Sequence, residues 1–237
     1  MEINKVIEKL GIELNPMQEA VSEAFLRSNK DIIVLSPTGS GKTYAYLLPL
    51  IQLLDIAIDE VQAVVAVPGR ELAKQSANVV LDMKSGLRPM AVYGGRPTMD
   101  EHREMRSIKP QILFATPGRL NDHLDKGNLI TESIKWLIID EFDKCLEMGF
   151  QDEMQEILDK LPLVERRILL SATEAESIPK FVNMGRSIRI DYRDNEEKVP
   201  NRVQLFMVRS PEKDKLEVLS NLLKCLEDKS SIVFLNY

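Results

Sequence analysis

Ile32-Ile33-Val34-Leu35-Ser36-Pro37-Thr38-Gly39-Ser40-Gly41-Lys42-Thr43 decides the fold. An apolar run of strand length enters a glycine-rich turn, and a helical run follows. That is the context a phosphate-binding loop requires. Gly39 and Gly41 let the backbone curl, so that the N–H groups of Thr38 to Lys42 turn inward onto phosphate oxygens. A helix starting near Lys42 adds the positive end of its dipole. Lys42 supplies a point charge for the β- and γ-phosphates, and the Thr43 hydroxyl is placed for Mg²⁺. Ser36 stands where the strict pattern has glycine. A chance glycine turn is the bland alternative, but it leaves the joint occurrence of strand, loop, Lys-Thr and helix unexplained.

A phosphate loop needs a carboxylate for the metal and a group to place water. Trp136-Leu137-Ile138-Ile139-Asp140-Glu141 offers both. An apolar strand delivers Asp140 to its C-terminal edge, where ligands of open α/β sheets bind. Asp140 can hold the metal through its waters. Glu141 can orient the attacking water or accept its proton. Taken alone, the pair reads better as an acidic helix start, and Lys42 with Thr43 turns the balance.

Further out, short apolar runs recur between amphipathic stretches. Strands are expected at 32–35, 63–67, 90–93, 112–115, 136–139, 168–170 and 188–190. Most are too apolar to leave one face in water, so the fold class is α/β, with a mainly parallel sheet covered by helices on both faces. Helical spacing runs over 70–83 and 152–161. Pro49, inside a helical run, is expected to bend or locally break it.

The 237 residues carry 31 Lys+Arg against 37 Asp+Glu, a formal charge of −6. This balance excludes binding to nucleic acid through bulk positive charge but leaves room for a local basic site. The widely spaced Cys145 and Cys225 form neither a disulfide framework nor a zinc spacing, and reduced, partly buried thiols are expected. The N-terminus lacks the apolar core of a signal peptide, and the apolar stretch 44–58 is interrupted and too short to span a bilayer. No membrane association and a cytoplasmic location follow as expectations. A polar run at 191–200, ending in Pro200, reads as a linker. Beyond it, 203–208 looks like a strand, 213–227 like a helix and 232–235 like another strand. Residues 201–237 therefore read as the truncated opening of a second α/β unit, and a C-terminal extension of the first domain is the alternative.

The ordered motifs resemble those of the DEAD-box family of RNA helicases in helicase superfamily 2. Gly11 to Gln18 resembles the Q motif, with Gln18 reading adenine. Ser36–Thr43 resembles motif I. Pro68-Gly69-Arg70-Glu71-Leu72-Ala73 resembles motif Ia, Gly94-Gly95 the double-glycine motif, and Thr116-Pro117-Gly118-Arg119 motif Ib. Asp140-Glu141-Phe142-Asp143 stands at motif II and Ser171-Ala172-Thr173 at motif III. The resemblance implies a three-layer RecA-like P-loop NTPase domain over 1–190, a linker at 191–200 and the start of a second RecA-like domain at 201–237. It implies an ATP-dependent RNA helicase. ATP would be bound by Gln18 and by Thr38, Gly39, Ser40, Gly41, Lys42 and Thr43, with Mg²⁺ at Thr43 and Asp140. Catalysis would fall to Lys42, Asp140 and Glu141. RNA phosphates would meet Arg70, Gly94, Gly95, Thr116, Gly118 and Arg119, without reading sequence. Asp143, Ser171 and Thr173 would couple the two ligands, and a monomer is expected. The arginines that assist phosphoryl transfer in this family lie in the second domain, so residues 1–237 alone are expected to turn ATP over very slowly. The rivals are a DNA-directed translocase of the same superfamily, another P-loop NTPase, and a non-catalytic RNA clamp, for which Phe142 is the only support.

Four positions depart from the family pattern. Phe142 replaces alanine in motif II, so a bulky ring must find space beside the metal site. Gly69 replaces threonine in motif Ia. Ile12 stands where an aromatic is frequent, and Asn15 replaces threonine or serine. Weaker or less selective adenine binding is expected from the last two.

Overall fold

A computed structural model describes residues 3–173, 182, 184–193, 206–210, 214–226 and 230–234. The chain divides into two compact units, 1–196 and 197–237. In the first unit the strands are β1 (Asp31–Leu35), β2 (Ala63–Ala66), β3 (Pro89–Val92), β4 (Ile112–Ala115), β5 (Trp136–Ile139), β6 (Arg166–Ser171) and β7 (Ser187–Asp191). They form one sheet in the order β3-β4-β2-β5-β6-β1-β7. Every pairing is parallel. The helices are α1 (Ile3–Leu10), α2 (Pro16–Arg27), α3 (Lys42–Leu53), α4 (Arg70–Asp82), α5 (Thr98–Ile108), α6 (Pro117–Asp125), α7 (Phe142–Glu147) and α8 (Gln151–Lys160).

The two-residue period of each strand sorts its side chains into two cores. Ala63, Val65, Phe114, Ile138, Ile168 and Leu170 pack with residues of α1 to α4. Val64, Ala66, Leu113, Leu137, Ile139 and Leu169 pack with residues of α5 to α8. The result is helix, sheet, helix, because strands apolar on both faces must be covered twice. No helix among the described residues is long and apolar enough to cross a membrane.

Trp136, at the start of β5, stacks on Phe25 of α2, with ring centroids 5.4 Å apart. The Arg166 guanidinium lies over both rings, at 4.9 and 5.3 Å. It donates to the carbonyls of Ala24, Phe25 and Lys30. These are carbonyls at and beyond the end of α2, and one side chain satisfies several acceptors that a helix end leaves open.

Two expectations change and a third is narrowed. Of the bend or local break expected at Pro49, the break is absent, and α3 runs through it. Residues Ala45 to Ile51 are all buried, and that packing outweighs the backbone hydrogen bond lost at proline. Cys145 is wholly buried, whereas Cys225 is exposed. In the second unit, α9 (Leu216–Cys225) forms within the expected helical run. Residues 206–208 and 232–234 lie in no strand. Phe206 and Phe234 are 83% and 90% exposed. A strand needs a neighbour to satisfy its backbone, and among the described residues these runs pair with none. Residues 203–205, 213, 227 and 235 of those runs, and 194–200 of the expected linker, lie outside the described residues.

Candidate nucleotide and nucleic-acid site

Because the strands are parallel, all their C-terminal ends lie on one edge of the sheet. Leu35 of β1 is in register with Ser171 of β6, and Ile139 of β5 with Leu169. Ala66 of β2 is in register with both Ile139 and Ala115, and Ala115 of β4 with Val92 of β3. The phosphate loop and Asp140 therefore follow β1 and β5, and Ser171 ends β6. Arg70, Thr116 and the Gly94-Gly95 turn follow β2, β4 and β3. The sequence-derived nucleotide set and nucleic-acid set occupy adjoining halves of one edge.

In the loop, Gly39 and Gly41 take φ values of 81° and 84°. Gly41 precedes α3 and no side chain caps the helix. The first N–H groups of α3 are thus left for an anion. Lys42 is buried, and its ammonium donates to the carbonyls of Ser36 at 2.6 Å and Pro37 at 2.8 Å. An ammonium has three protons, so one remains for a phosphate oxygen. Burial lowers the Lys42 pKa from its ordinary value, against the pull of Asp140, Asp143 and Glu141.

The Q-motif residues grip this loop. Asn15 and Gln18 form a capping box at the start of α2. The remaining side-chain donors reach across: Asn15 Nδ2 donates to the Ser40 carbonyl at 2.9 Å, and Gln18 Nε2 to the Gly41 carbonyl at 3.1 Å. Asn15 is thus a loop-positioning residue, and the Asn-Pro-x-Gln spacing of a capping box was the available signal. A Cβ on Gly41 would stand 2.5 Å from Gln18 Nε2, at a φ of +84°. Gly41→Ala is therefore expected to displace Gln18 and strain the turn. Urea denaturation should show a loss of about 1–2 kcal/mol.

Asp140 is 3% exposed. Its Oδ1 accepts the Glu141 N–H at 2.9 Å, and its Oδ2 accepts from the Tyr46 hydroxyl at 3.3 Å. Burial raises its pKa to about 6. Burial also drives the Tyr46 phenol well above its ordinary value. Tyr46 was missed in the sequence. It lies one turn beyond Lys42 on α3, but which strand end that face meets is a matter of sheet order. Glu141 has φ 50° and ψ 50°, left-handed backbone for a residue with a Cβ. Such strain costs about 1–2 kcal/mol, and here it sits beside the metal carboxylate.

Phe142 does not crowd the metal site. Its ring is 2% exposed and packs in the core between the sheet and α5 to α8. Asp143 joins the halves of motifs II and III directly. Its Oδ2 accepts from the Thr173 N–H at 3.1 Å and from the Thr173 hydroxyl at 3.0 Å. Ser171 Oγ donates to the Thr173 carbonyl at 2.6 Å and does not reach Asp143 itself.

On the other half of the edge, no Cβ contact would lie within 4 Å of Gly94, Gly95 or Gly118, so backbone can approach closely there. Thr116 precedes α6 without a side-chain cap, leaving its hydroxyl available. Arg70 is 66% exposed and lies 3.4 Å from Glu71. Arg119 differs, because it is 11% exposed and committed to the protein. It donates to Thr98 Oγ1 and to the Arg96 carbonyl, both at 2.7 Å. It also pairs with Glu101 at 3.3 Å. Glu101 is fully buried, accepts the Tyr93 N–H at 3.1 Å and meets His123 at 3.1 Å. This ionic knot ties the start of α6 to the turn carrying Gly94 and Gly95. In this structure the Arg119 guanidinium shapes the edge from within.

The donor set fits a magnesium ion carried in with phosphates. Among the described residues no group of three or more His, Cys, Asp or Glu is placed to hold a metal on its own. Mg²⁺ typically takes one or two protein oxygens together with phosphates and water, and Asp140 with Thr43 matches that need. The Ser40 hydroxyl, buried in the loop, has no hydrogen-bond partner among the described residues, as a phosphate ligand would supply.

Fold and loop define a RecA-like P-loop nucleotide-binding domain. The family model described as DEAD/DEAH box helicase matches residues 15–181. The chain is 36% identical to the ATP-dependent RNA helicase CshA of Listeria monocytogenes, across 98% of this chain and 45% of the relative. It is 32% identical to the DEAD-box ATP-dependent RNA helicase CshA of Geobacillus kaustophilus, across 98% and 50%. Among solved structures, a DEAD box protein from the hyperthermophile Methanococcus jannaschii superposes with a TM-score of 0.72 at 30% identity, covering 94% of this chain and 61% of that one. The DEAD-box helicase Mss116 bound to ssRNA and UDP-BeF gives a TM-score of 0.72 at 28% identity, covering 80% and 42%. The chain belongs to the DEAD/DEAH box helicase family. It spans about half the length of the curated relatives it matches.

Proposed function

We propose that this chain is the nucleotide-binding half of an ATP-dependent RNA helicase. The observation that carries the reading is the shared edge: phosphate loop and Asp140 on one half, open glycine turns and a helix start on the other, with Asp143, just after the strand β5 that borders the second half, bonded to Thr173. Mss116, similar in fold, is a DEAD-box helicase solved with ssRNA and a nucleotide analogue, which supports both ligand classes.

The residues divide the work. The N–H groups of Thr38 to Lys42 and the Lys42 ammonium would hold the β- and γ-phosphates. Gln18, docked on the loop, retains one N–H and one lone pair for adenine. Thr43 and Asp140 would hold Mg²⁺, whose charge neutralises the phosphates when bound. Glu141 would orient the attacking water. Arg70 and the backbone at Gly94, Gly95, Thr116 and Gly118 would hold RNA phosphates, with Arg119 bracing them. Asp143 and Thr173 would transmit nucleotide state. Residues 201–237 open the second RecA-like domain after a linker that begins beyond β7, whose last residue is Asp191 and not part of the linker as expected, and the protein works as a cytoplasmic monomer.

The test is ATP turnover by the complete protein, with and without single-stranded RNA. RNA-stimulated turnover that a 2′-deoxy strand does not match is expected. Turnover indifferent to RNA would defeat the reading, and equal stimulation by DNA would transfer it to a DNA translocase.

A further inference from the structure

Net negative charge raises a specific question at the proposed RNA edge: which cation there is not already neutralised? Arg70 faces Glu71 at 3.4 Å, and Arg96 pairs with Glu104 at 3.0 Å. Arg119 is held between Glu101 and Asp122 at 3.3 and 3.8 Å. Each of these arginines already meets a carboxylate, which weakens the pull it can exert on an incoming phosphate.

Lys74 is different. It follows Arg70 by one helical turn, so the two side chains share a face of α4. It is exposed, and among the described residues no carboxylate pairs with it. Its ammonium instead lies 4.9 Å from the centroid of the Tyr93 ring. Tyr93 directly precedes Gly94 and Gly95, and its own N–H is fixed by the buried Glu101. The ring therefore stands at a defined place beside the glycine turn. A cation over an aromatic face is attracted to it without losing its net charge, and its remaining protons stay available.

We propose that Lys74, held over Tyr93 beside the Gly94-Gly95 turn, is a further phosphate-binding residue for single-stranded RNA. The inference rests on the reading of this edge as the RNA side. Lys74 extends the row begun by Arg70 along α4, and it supplies an unneutralised charge at this edge of an acidic chain. Tyr93 positions the ammonium and leaves the contact to it.

The experiment is binding of a fluorescent oligouridine to the complete chain across a salt series, with thermal melting of each variant. A contact between a lysine and a single-strand phosphate adds about 0.7 to the slope of log affinity against log salt. Lys74→Ala is expected to lower the slope by about that amount and to weaken binding several-fold at low salt. Lys74→Arg is expected to keep the slope, and Tyr93→Ala to lower affinity less than Lys74→Ala does. A merely structural pairing of α4 with β3 would shift melting and leave the slope unchanged, which overturns the proposal. If Arg70→Ala lowers the slope and Lys74→Ala does not, Lys74 is excluded while the edge reading stands. If neither variant changes the slope, or the unmodified chain binds no RNA at low salt, both fall.

Discussion

Lys42→Ala is expected to lower the affinity for Mg²⁺–ATP by roughly one to two orders of magnitude. The one proton left for phosphate makes a charge-assisted hydrogen bond of about 1.5–3 kcal/mol, and 1.4 kcal/mol is tenfold in affinity. The structure adds a second effect. Lys42 also donates to the Ser36 and Pro37 carbonyls, so its loss frees the two carbonyls that shape the loop. Stability should fall by about 1–3 kcal/mol. Calorimetric titration with a non-hydrolysable ATP analogue measures the first effect, and urea denaturation the second. A variant that still folds and loses less than tenfold in affinity would contradict the assignment of Lys42 to the phosphates.

The second large effect concerns Asp140 and has the opposite sign for stability. The ordinary pKa of this carboxyl is 3.8, and burial raises it to about 6. Between those values the folded chain keeps a proton that the unfolded chain has released. Stability therefore falls as pH rises through this window and stays at the lower level above it. The loss is on the order of 3 kcal/mol. Asparagine cannot ionise, and it preserves the local bonds. Its oxygen still accepts the Glu141 N–H, and its amide can donate to the Tyr46 oxygen. Asp140→Asn should then melt higher than the unmodified chain at neutral pH without magnesium, by on the order of 5–10 °C. The difference should vanish below the ordinary carboxylate range. The same variant should lose the magnesium dependence of nucleotide binding. Equal melting at both pH extremes would remove the physical basis of the prediction.

A residue tuned this way explains what the sequence could and could not reveal. Asp140, Lys42 and Thr43 are legible because strand, loop and helix are local events with their own residue preferences. The strands are legible for a related reason: burial on both faces writes unbroken apolar runs. Contacts between elements distant in sequence are another matter. Tyr46 meets Asp140 because β1 and β5 lie on either side of β6, and that order is not written in any local pattern. Arg119 looks free in its tetrapeptide, yet Glu101, on another helix, is buried against it. Phe142 looked obstructive beside the metal until the turn of α7 placed it in the core. The apolar runs at 206–208 and 232–234 have strand composition, but composition supplies no partner strand.

The stack of Phe25, Trp136 and Arg166 has a practical consequence. Trp136 is the single tryptophan of the chain. It opens the strand that ends one residue before Asp140, and a ring and a guanidinium cover it. Unfolding transfers that indole to water, so its fluorescence emission moves to longer wavelength. The protein therefore carries a built-in optical probe of the very strand that bears the metal carboxylate, and its melting can be followed without any label.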